Sequence, residues 1–261
     1  MTTRTGYKPG TFCWVDLATV DADGAKAFYG TLFGWEVVDI PIGDVDFYSM
    51  LKQEDRKVCA LYKMRPEMLE HGVPPHWHSY VSVESADESA ATIENLGGTV
   101  VMKPFDVMED GRMAVVQDPA GATFSVWQPG ESFGAELVNE PNSLCWNELF
   151  TSDVDSCSAF YTGSFGWTSE EMEMPEGEYI IFKNGDQNNA GMMAIQPEWG
   201  EVPPHWGVYF AVADCDETLE HATKLGAELV SGPIEMGPGK FAALRDPQGA
   251  HFSVIRLADP D

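Results

Sequence analysis

Side chains able to move protons occur in pairs along this sequence, one member in each half. The segment FCWVD places Asp16 two residues after Trp14. The segment LCWNE repeats this spacing with Glu148 and Trp146. Residues two apart on a strand point to the same face, so each carboxyl group should share its face with an indole ring. Because an unpaired charge is costly to bury, we expect both carboxyl groups to have a partner or to face a wet cavity.

Histidines form the second group of candidates. The segment VPPHWHSYV contains His76 and His78, whereas VPPHWGVYF contains only His205. An imidazole that titrates near neutral pH, oriented by a carboxylate, could move protons to or from carbon or oxygen. His76 and His205 recur in both halves, so they could instead bond a backbone carbonyl at the strand entrance. His78 is replaced by Gly207 in the second half, which favours a ligand contact specific to the first.

Aromatic and hydroxyl side chains complete two candidate pockets. By the same alternation they are Trp14, Tyr80, Ser125 and Trp127 in the first half, and Trp146, Tyr209 and Ser253 in the second. Such walls can stack a planar organic ligand, although strand tryptophans are often core residues. The chemistry that follows is proton abstraction beside a carbonyl, as in isomerisation, aldol or retro-aldol reactions, or cyclisation.

These candidates lie in a duplicated chain. The segment FCWVDLATVD at 12–21 returns as LCWNELFTSD at 144–153, and DPAGATFSV at 118–126 returns as DPQGAHFSV at 246–254. A period of about 130 residues is far longer than that of solenoid repeats, so it indicates domain duplication. We therefore predict a first domain at 1–130, a linker at 131–141 and a second domain at 142–261.

The elements that must position these side chains can be followed within the first domain. A strand at 14–19 precedes a helix capped by Asp21 or Asp23 and stopped by Gly34, and β-like stretches follow at 35–40, 47–51 and 57–64. The order repeats with a strand at 76–83, a helix capped by Ser85, and strands at 99–102, 112–117 and 123–127. We predict an α+β fold in which the paired βαβββ units of each domain form a cup-shaped mixed β-sheet with the helices outside.

The paired βαβββ units, the AFYxxxFGW helix and turn, and the DPxGxxFSV end strand resemble the glyoxalase/bleomycin-resistance/extradiol dioxygenase, or vicinal oxygen chelate (VOC), superfamily. The tandem form with CWxxL openings and PPHW strands resembles an actinobacterial subgroup. This resemblance implies a divalent metal held by four side chains, commonly His, Gln or Glu. The matching positions hold Trp14, a strand with only Cys59, His78 and Ser125 in the first domain, and Trp146, a strand with Gly191, Gly207 and Ser253 in the second. We therefore expect no metal and no other cofactor.

These observations predict a metal-independent VOC enzyme of the isomerase, aldolase, lyase or cyclase type. Its substrate would be an aromatic or polyketide-like small metabolite, as in a tailoring step of secondary metabolism. The expected catalytic residues are His78, Asp16, His76, Glu148 and His205. The alternatives are a protein that binds or sequesters small molecules, like the drug-resistance members of the family, and a glyoxalase-type lyase that keeps a metal.

The charge of the chain restricts its partners. The formal net charge of -27, from 42 acidic and 15 basic residues, predicts a surface that repels phosphate backbones and anionic lipid. We therefore expect neither nucleic acid nor a membrane as a partner. The polar N-terminus and five cysteines without a CxxC pair are typical of a cytoplasmic protein with reduced thiols. A monomer or weak homodimer is expected, because duplicated domains can satisfy their pseudo-symmetry within one chain.

Overall fold

The computed structural model describes residues 3–42, 46–174 and 177–258, which form two domains of the same fold. The first domain contains β1 (Phe12–Thr19), α1 (Ala22–Phe33), β2 (Glu36–Ile42), β3 (Asp46–Gln53), β4 (Arg56–Lys63), α2 (Pro66–Glu70), β5 (His76–Ser82), α3 (Ala86–Asn95), β6 (Thr99–Val107), β7 (Gly111–Gln117) and β8 (Thr123–Pro129). The second contains β9 (Ser143–Thr151), α4 (Val154–Phe165), β10 (Thr168–Met174), β11 (Gly177–Asn184), β12 (Gln187–Ala194), a 3-10 helix (Pro197–Trp199), β13 (His205–Ala211), α5 (Cys215–Lys224), β14 (Glu228–Met236), β15 (Gly239–Arg245) and β16 (His251–Leu257). The predicted α+β fold of paired βαβββ units is confirmed.

The first helix of each domain begins at an aspartate and ends at a glycine. Asp21 accepts a hydrogen bond from the N–H of Gly24 at 3.0 Å, and Asp153 caps the corresponding helix in the same way. Gly34 and Gly166 have φ values of 71° and 67°, which a residue without a Cβ adopts freely. These caps fix where each helix leaves the sheet that holds the candidate residues. None of the helices in the described ranges is long and apolar enough to cross a membrane.

Each domain has one continuous mixed sheet of eight strands. The strand orders are β2-β3-β4-β1-β5-β8-β7-β6 and β10-β11-β12-β9-β13-β16-β15-β14. The prediction of a mixed sheet in each domain is confirmed, and the sheet is continuous because the opening strands of the two βαβββ units pair antiparallel at the centre. The paired strands, β1 with β5 and β9 with β13, would each be an edge strand if the two units were separate. Their pairing satisfies backbone groups that would then lack a partner. The resulting sheet is cup-shaped, with its helices on the convex side.

The main hydrophobic core lies between the two domains. Two clusters of buried side chains each contain residues of both domains. Ring centroids of Tyr29 and Phe252 lie 5.5 Å apart, and those of Trp77 and Phe210 lie 5.1 Å apart. The convex faces are therefore used for docking the domains, and the concave faces are left for other tasks.

Two matching hydrogen-bond chains cross this interface. Trp77 Nε1 donates to the hydroxyl of Tyr29 at 3.1 Å, and that hydroxyl donates to Oδ2 of Asp246 at 2.9 Å. The second chain has the same order: Trp206 to Tyr161 at 2.9 Å, and Tyr161 to Asp118 at 3.0 Å. The Trp of PPHW, the Tyr of AFY and the Asp of DPxG thus recur in both halves because they join the domains.

Candidate functional site

The floor of the first cup is built around Asp16 on the concave face of β1. Tyr48 and Tyr80 donate to its Oδ2 at 2.9 and 2.8 Å, and Trp14 Nε1 donates to the hydroxyl of Tyr48 at 2.9 Å. Asp16 is 1% exposed, and its Oδ1 has no hydrogen-bond partner within the described part of the chain. An unsatisfied buried polar atom costs about 1–3 kcal/mol, so a ligand group that bonds to Oδ1 would be favoured.

The protonation of Asp16 suits proton transfer. Burial raises the pKa of its carboxyl group to about 7, while the hydrogen bonds from Tyr80 and Tyr48 favour the charged form. Burial and the charge of Asp16 raise the pKa of both tyrosines well above the usual value, so their hydroxyls stay protonated. A carboxyl group that gains and loses its proton near neutral pH can act as a general acid or base.

The second cup repeats this arrangement around Glu148. Tyr209 donates to Oε2 of Glu148, and the phenols of Tyr209 and Tyr179 both act to lower the pKa of this carboxyl group. Trp146 Nε1 donates to the hydroxyl of Tyr179 at 3.2 Å, and burial raises the pKa of Glu148. We call each group a carboxyl quartet: Trp14, Asp16, Tyr48 and Tyr80 form the first, and Trp146, Glu148, Tyr179 and Tyr209 form the second.

Sequence reasoning identified three members of each quartet and missed Tyr48 and Tyr179. Both tyrosines lie on the third strand of their domain, β3 and β11, far along the chain from the carboxyl group that they contact. Their recurrence at matching places in the two halves was the available signal. It did not show which face of the strand they occupy.

His78 lies directly opposite Asp16 in the pairing of β1 with β5. Its Nε2 is 2.8 Å from the hydroxyl oxygen of Ser125, and its ring meets that of Tyr80 edge-on at 5.1 Å. Burial, with a smaller contribution from the neighbouring His76, lowers the pKa of His78 to about 3. His78 is therefore neutral near pH 7. The expectation of an imidazole titrating near neutral pH does not hold here, and Asp16 has the suitable pKa instead.

His76 and His205 both make the local contact that their recurrence suggested. Nδ1 of His76 lies 2.8 Å from the carbonyl oxygen of Pro74, and Nδ1 of His205 lies 2.9 Å from that of Pro203. Burial lowers the pKa of both imidazoles. These contacts fix the entrances of β5 and β13. They give His76 and His205, two of the five predicted catalytic residues, a structural role.

The remaining predicted binding residues also lie on the concave faces. Trp127 Nε1 donates to the carbonyl of Ser132 in the segment after β8, and its ring centroid lies 6.5 Å from that of Tyr80. Ser253 lies opposite Tyr209 in the pairing of β13 with β16, and the equivalent Ser125 in the first cup contacts His78. The structure thus brings the predicted residues together in two groups, one in each domain.

The edge strands give the first cup an apolar rim. Val38 and Ile40 on β2 pair with Met50 and Tyr48, and Met102 and Phe105 on β6 pair with Val115 and Met113. These pairings place the four rim side chains on the concave side, where they are exposed. Two surface depressions of about 290 and 450 Å³ lie elsewhere, beside 211–213 and beside 108–110. The floor beneath this rim, including Asp16, is buried.

The donor atoms of the cups do not fit the divalent metal that the family resemblance implies. The first cup offers one imidazole, one indole and one hydroxyl at the matching positions, and divalent metals require several imidazole or carboxylate donors. Across residues 3–42, 46–174 and 177–258, no group of three or more His, Cys, Asp or Glu side chains could hold a metal ion.

Comparisons with known proteins agree with this fold and with its duplication. Residues 14–127 match the family model of the glyoxalase-like domain, and residues 142–254 match that of the Glyoxalase/Bleomycin resistance protein/Dioxygenase superfamily. The chain is 41% identical over 261 residues to "Putative glyoxylase CFP32" of Mycobacterium tuberculosis, covering 99% of both chains. It is 34% identical over 265 residues to "Anthracycline biosynthesis protein DnrV" of Streptomyces peucetius, covering 98% of this chain and 96% of that one.

Solved structures share the architecture at low sequence identity. The Mn(II)-bound glyoxalase from Novosphingobium aromaticivorans has a TM-score of 0.65 at 17% identity, covering 97% of this chain and 84% of that one. Homoprotocatechuate 2,3-dioxygenase from Brevibacterium fuscum has a TM-score of 0.65 at 15% identity, covering 100% of this chain and 86% of that one. Identities this low show the fold alone. With the two family matches and the full-length relatives, they establish that the chain belongs to the glyoxalase/bleomycin-resistance/dioxygenase (VOC) superfamily and contains two of its domains in tandem.

Proposed function

We propose that the protein is a metal-independent enzyme that transfers a proton at the carbon beside a carbonyl group of an aromatic or polyketide-like small metabolite. The observation that carries this proposal is the carboxyl group of Asp16. Its Oδ2 is held by two tyrosine hydroxyls, its Oδ1 is free for a ligand, and its pKa is about 7. Isomerisation, aldol-type and cyclisation reactions can all begin with this proton transfer.

The proposed step uses groups of the first cup only. Oδ1 of ionised Asp16 takes a proton from the carbon, and the electron pair of that C–H bond moves into the carbonyl to give an enolate. The hydroxyls of Tyr48 and Tyr80 hold Oδ2, which keeps Oδ1 directed at the ligand. Ser125 and neutral His78, hydrogen-bonded to each other, are the candidate donors to the developing oxyanion. Protonated Asp16 then returns the proton to the substrate.

The walls and the overall charge support the substrate class. Trp14, Tyr80 and Trp127 offer aromatic surfaces for stacking, and the exposed rim of β2 and β6 is apolar. The name of the Streptomyces peucetius relative refers to anthracycline biosynthesis, which supports an aromatic substrate in secondary metabolism. A net charge of -27 disfavours anionic ligands, nucleic acid and membrane surfaces as partners. We propose a monomer, because each domain uses its convex face to bind the other.

Deuterium exchange into 1-tetralone, an aromatic ketone, tests the proposal. Incubation with the protein in D₂O should place deuterium at the carbon beside the carbonyl, detected by proton NMR. Asp16→Asn should slow this exchange about 100-fold or more, the usual range for loss of a general base, while keeping the native circular dichroism spectrum. Exchange unaffected by this substitution would contradict the proposal. So would stoichiometric Ni, Zn, Fe or Mn in the purified protein.

The second candidate function is binding without chemistry. The aromatic floor and apolar rim would suit a protein that sequesters an aromatic molecule even if Asp16 never moved a proton. Tight binding of 1,8-dihydroxyanthraquinone without exchange of 1-tetralone would support this alternative, especially if Trp14→Ala abolished binding and His78→Ala did not. The name of the Mycobacterium tuberculosis relative suggests a third function, that of a glyoxalase-type lyase. The described residues of this chain do not provide the metal donors that such an enzyme is expected to need.

A further inference from the structure

We infer that the first cup alone binds and acts on the ligand, and that one pair of residues makes the difference between the two cups. The pair is Ala18 with His78 in the first cup and Phe150 with Gly207 in the second. This inference rests on the proposed function and assigns its site to one domain.

The strand register shows that a large ring and a small residue have exchanged places. In the first cup His78 lies opposite Asp16, and Ala18 lies one pair further along the same face. In the second cup Gly207 lies opposite Glu148, and Phe150 takes the place of Ala18. The ring beside the carboxyl group is therefore a polar imidazole in one cup and an apolar phenyl ring in the other.

Phe150 fills the space that an imidazole would need. A Cβ built on Gly207 would lie 2.9 Å from Cε2 of Phe150, which places the phenyl ring directly over the glycine. This ring also stacks on His205 at a centroid distance of 5.0 Å and meets Trp199 at 5.8 Å. In the first cup the small Ala18 leaves that region to His78, which contacts Ser125. The imidazole–hydroxyl pair thus has no counterpart beside Glu148.

The polar groups of the second quartet contact one another. The hydroxyl of Tyr179 lies so close to β12 that a Cβ on Gly191 would be 1.9 Å from it, whereas Ala60 occupies the corresponding place beside Asp16. Glycine there lets Tyr179 reach the longer side chain of Glu148. Ser253 lies opposite Tyr209 as Ser125 lies opposite Tyr80, but Gly207 stands where His78 contacts Ser125 in the first cup. In the first cup, by contrast, Oδ1 of Asp16 is left without a partner from the described chain.

The second cup is also less well shielded from water. Trp14 and Ala18 are buried, whereas their counterparts Trp146 and Phe150 are only half-buried. At the rim, the place of Val38 is taken by Glu170, which points to the concave side opposite Ile181. A charged rim and a wetter floor weaken the stacking of an apolar ligand. Both differences favour the first cup as the reacting one.

The test counts bound ligand in variants that exchange the pair. Tryptophan fluorescence is titrated with 1,8-dihydroxyanthraquinone in the full chain. We expect the wild-type chain to bind one equivalent. The double variant Ala18→Phe/His78→Gly should bind about tenfold more weakly, or weaker still. It copies the residues of the second cup, so the fold already accommodates this arrangement. The matched control, Phe150→Ala/Gly207→His, should leave the affinity of that first equivalent unchanged. Asp16→Asn, a change of similar shape, gives a second variant that should also weaken binding.

Three results would overturn the inference. The first is that the wild-type chain binds two equivalents of the anthraquinone, or none. The second is that both first-cup variants bind it with unchanged affinity. The third is that the second-cup control loses as much affinity as the first-cup variants. The deuterium-exchange assay separates this outcome from failure of the proposed function. Binding confined to the first cup without any exchange would contradict the enzyme proposal and leave the assignment of the cup intact.

Discussion

Asp16 combines two features that stability alone would not favour. Its carboxyl group is buried, and one of its oxygens has no hydrogen-bond partner within the described ranges. Replacing such a group by an apolar one is often neutral or stabilising, so stability alone does not account for its place in the cup. The two tyrosines fix the orientation of the carboxyl group and leave Oδ1 available.

Burial of Asp16 predicts a pH dependence of stability. Its pKa is raised from 3.8 to about 7, so between these values the folded chain keeps a proton that the unfolded chain has lost. The stabilising contribution is therefore present below pH 4 and is lost as the pH rises to 7. At about 1.4 kcal/mol per pKa unit, the loss is on the order of 4 kcal/mol. Relative to wild type, Asp16→Asn should gain free energy of unfolding over this range, measured by urea denaturation. A constant difference would contradict the burial effect.

Gly191 gives a second prediction at this scale. A methyl group there would lie 1.9 Å from the hydroxyl of Tyr179, so Gly191→Ala must displace this tyrosine. We expect a loss of about 1–3 kcal/mol in the free energy of unfolding. Gly237→Ala is the matched control, because a Cβ there would meet none of the described atoms within 4 Å. Equal stability of the two variants would show that Tyr179 is not held against β12.

The local part of each site could be predicted from sequence, and the part that depends on register could not. Strand alternation placed Asp16 beside Trp14 because the two-residue period is a property of the chain itself. Tyr48 reaches Asp16 only through the pairing of β3, β4 and β1. The protonation of His78 was equally out of reach, since it follows from burial by distant elements.

At the element scale, the repeated PPHW motif has a structural role, whereas the sequence suggested a catalytic one. The PPHW strand drew attention through its histidine, yet its tryptophan makes the long-range contact to Tyr29. Alternation shows which residues share a face of a strand, but it does not show which face meets the other domain. The helices and their caps were predictable because the signals lie within a few residues of each helix end.

The crossing hydrogen bonds predict equal roles for Tyr29 and Tyr161. Each phenol donates to a buried carboxyl group of the other domain. Tyr29→Phe and Tyr161→Phe should each lower the free energy of unfolding by about 1.5–3 kcal/mol, the usual value for hydrogen bonds to charged groups. A double-mutant cycle of Tyr29→Phe with Asp246→Asn, measured by chemical denaturation, isolates the contact. Additive effects would mean that the two groups do not interact.

The whole molecule carries a net charge that should oppose folding. With 42 acidic and 15 basic residues, repulsion within the folded chain exceeds that in the more expanded unfolded chain. Raising NaCl from about 20 to about 500 mM shortens the Debye length and should stabilise the fold by about 1 kcal/mol, or about 2–4 °C in Tm. The measurement is thermal unfolding followed by circular dichroism. A Tm that falls with salt would show that favourable ion pairs dominate.

Duplication explains the architecture as a division of labour between faces. The convex faces keep matched contacts because each domain must bind the other, whereas the concave faces have diverged at Ala18, His78 and their counterparts. The tandem α+β fold was predictable from the repeat. The strand order within each eight-stranded sheet was not, because it depends on the antiparallel pairing of strands that lie about 60 residues apart.

The central claim is that Asp16 exchanges its proton near neutral pH within the first cup. The direct measurement is a carbon-13 NMR titration of the full chain labelled at the aspartate carboxyl groups. One resonance should titrate with a pKa of about 7 and should be absent from Asp16→Asn. Failure of any aspartate to titrate near neutral pH, or persistence of that transition in Asp16→Asn, would contradict the account.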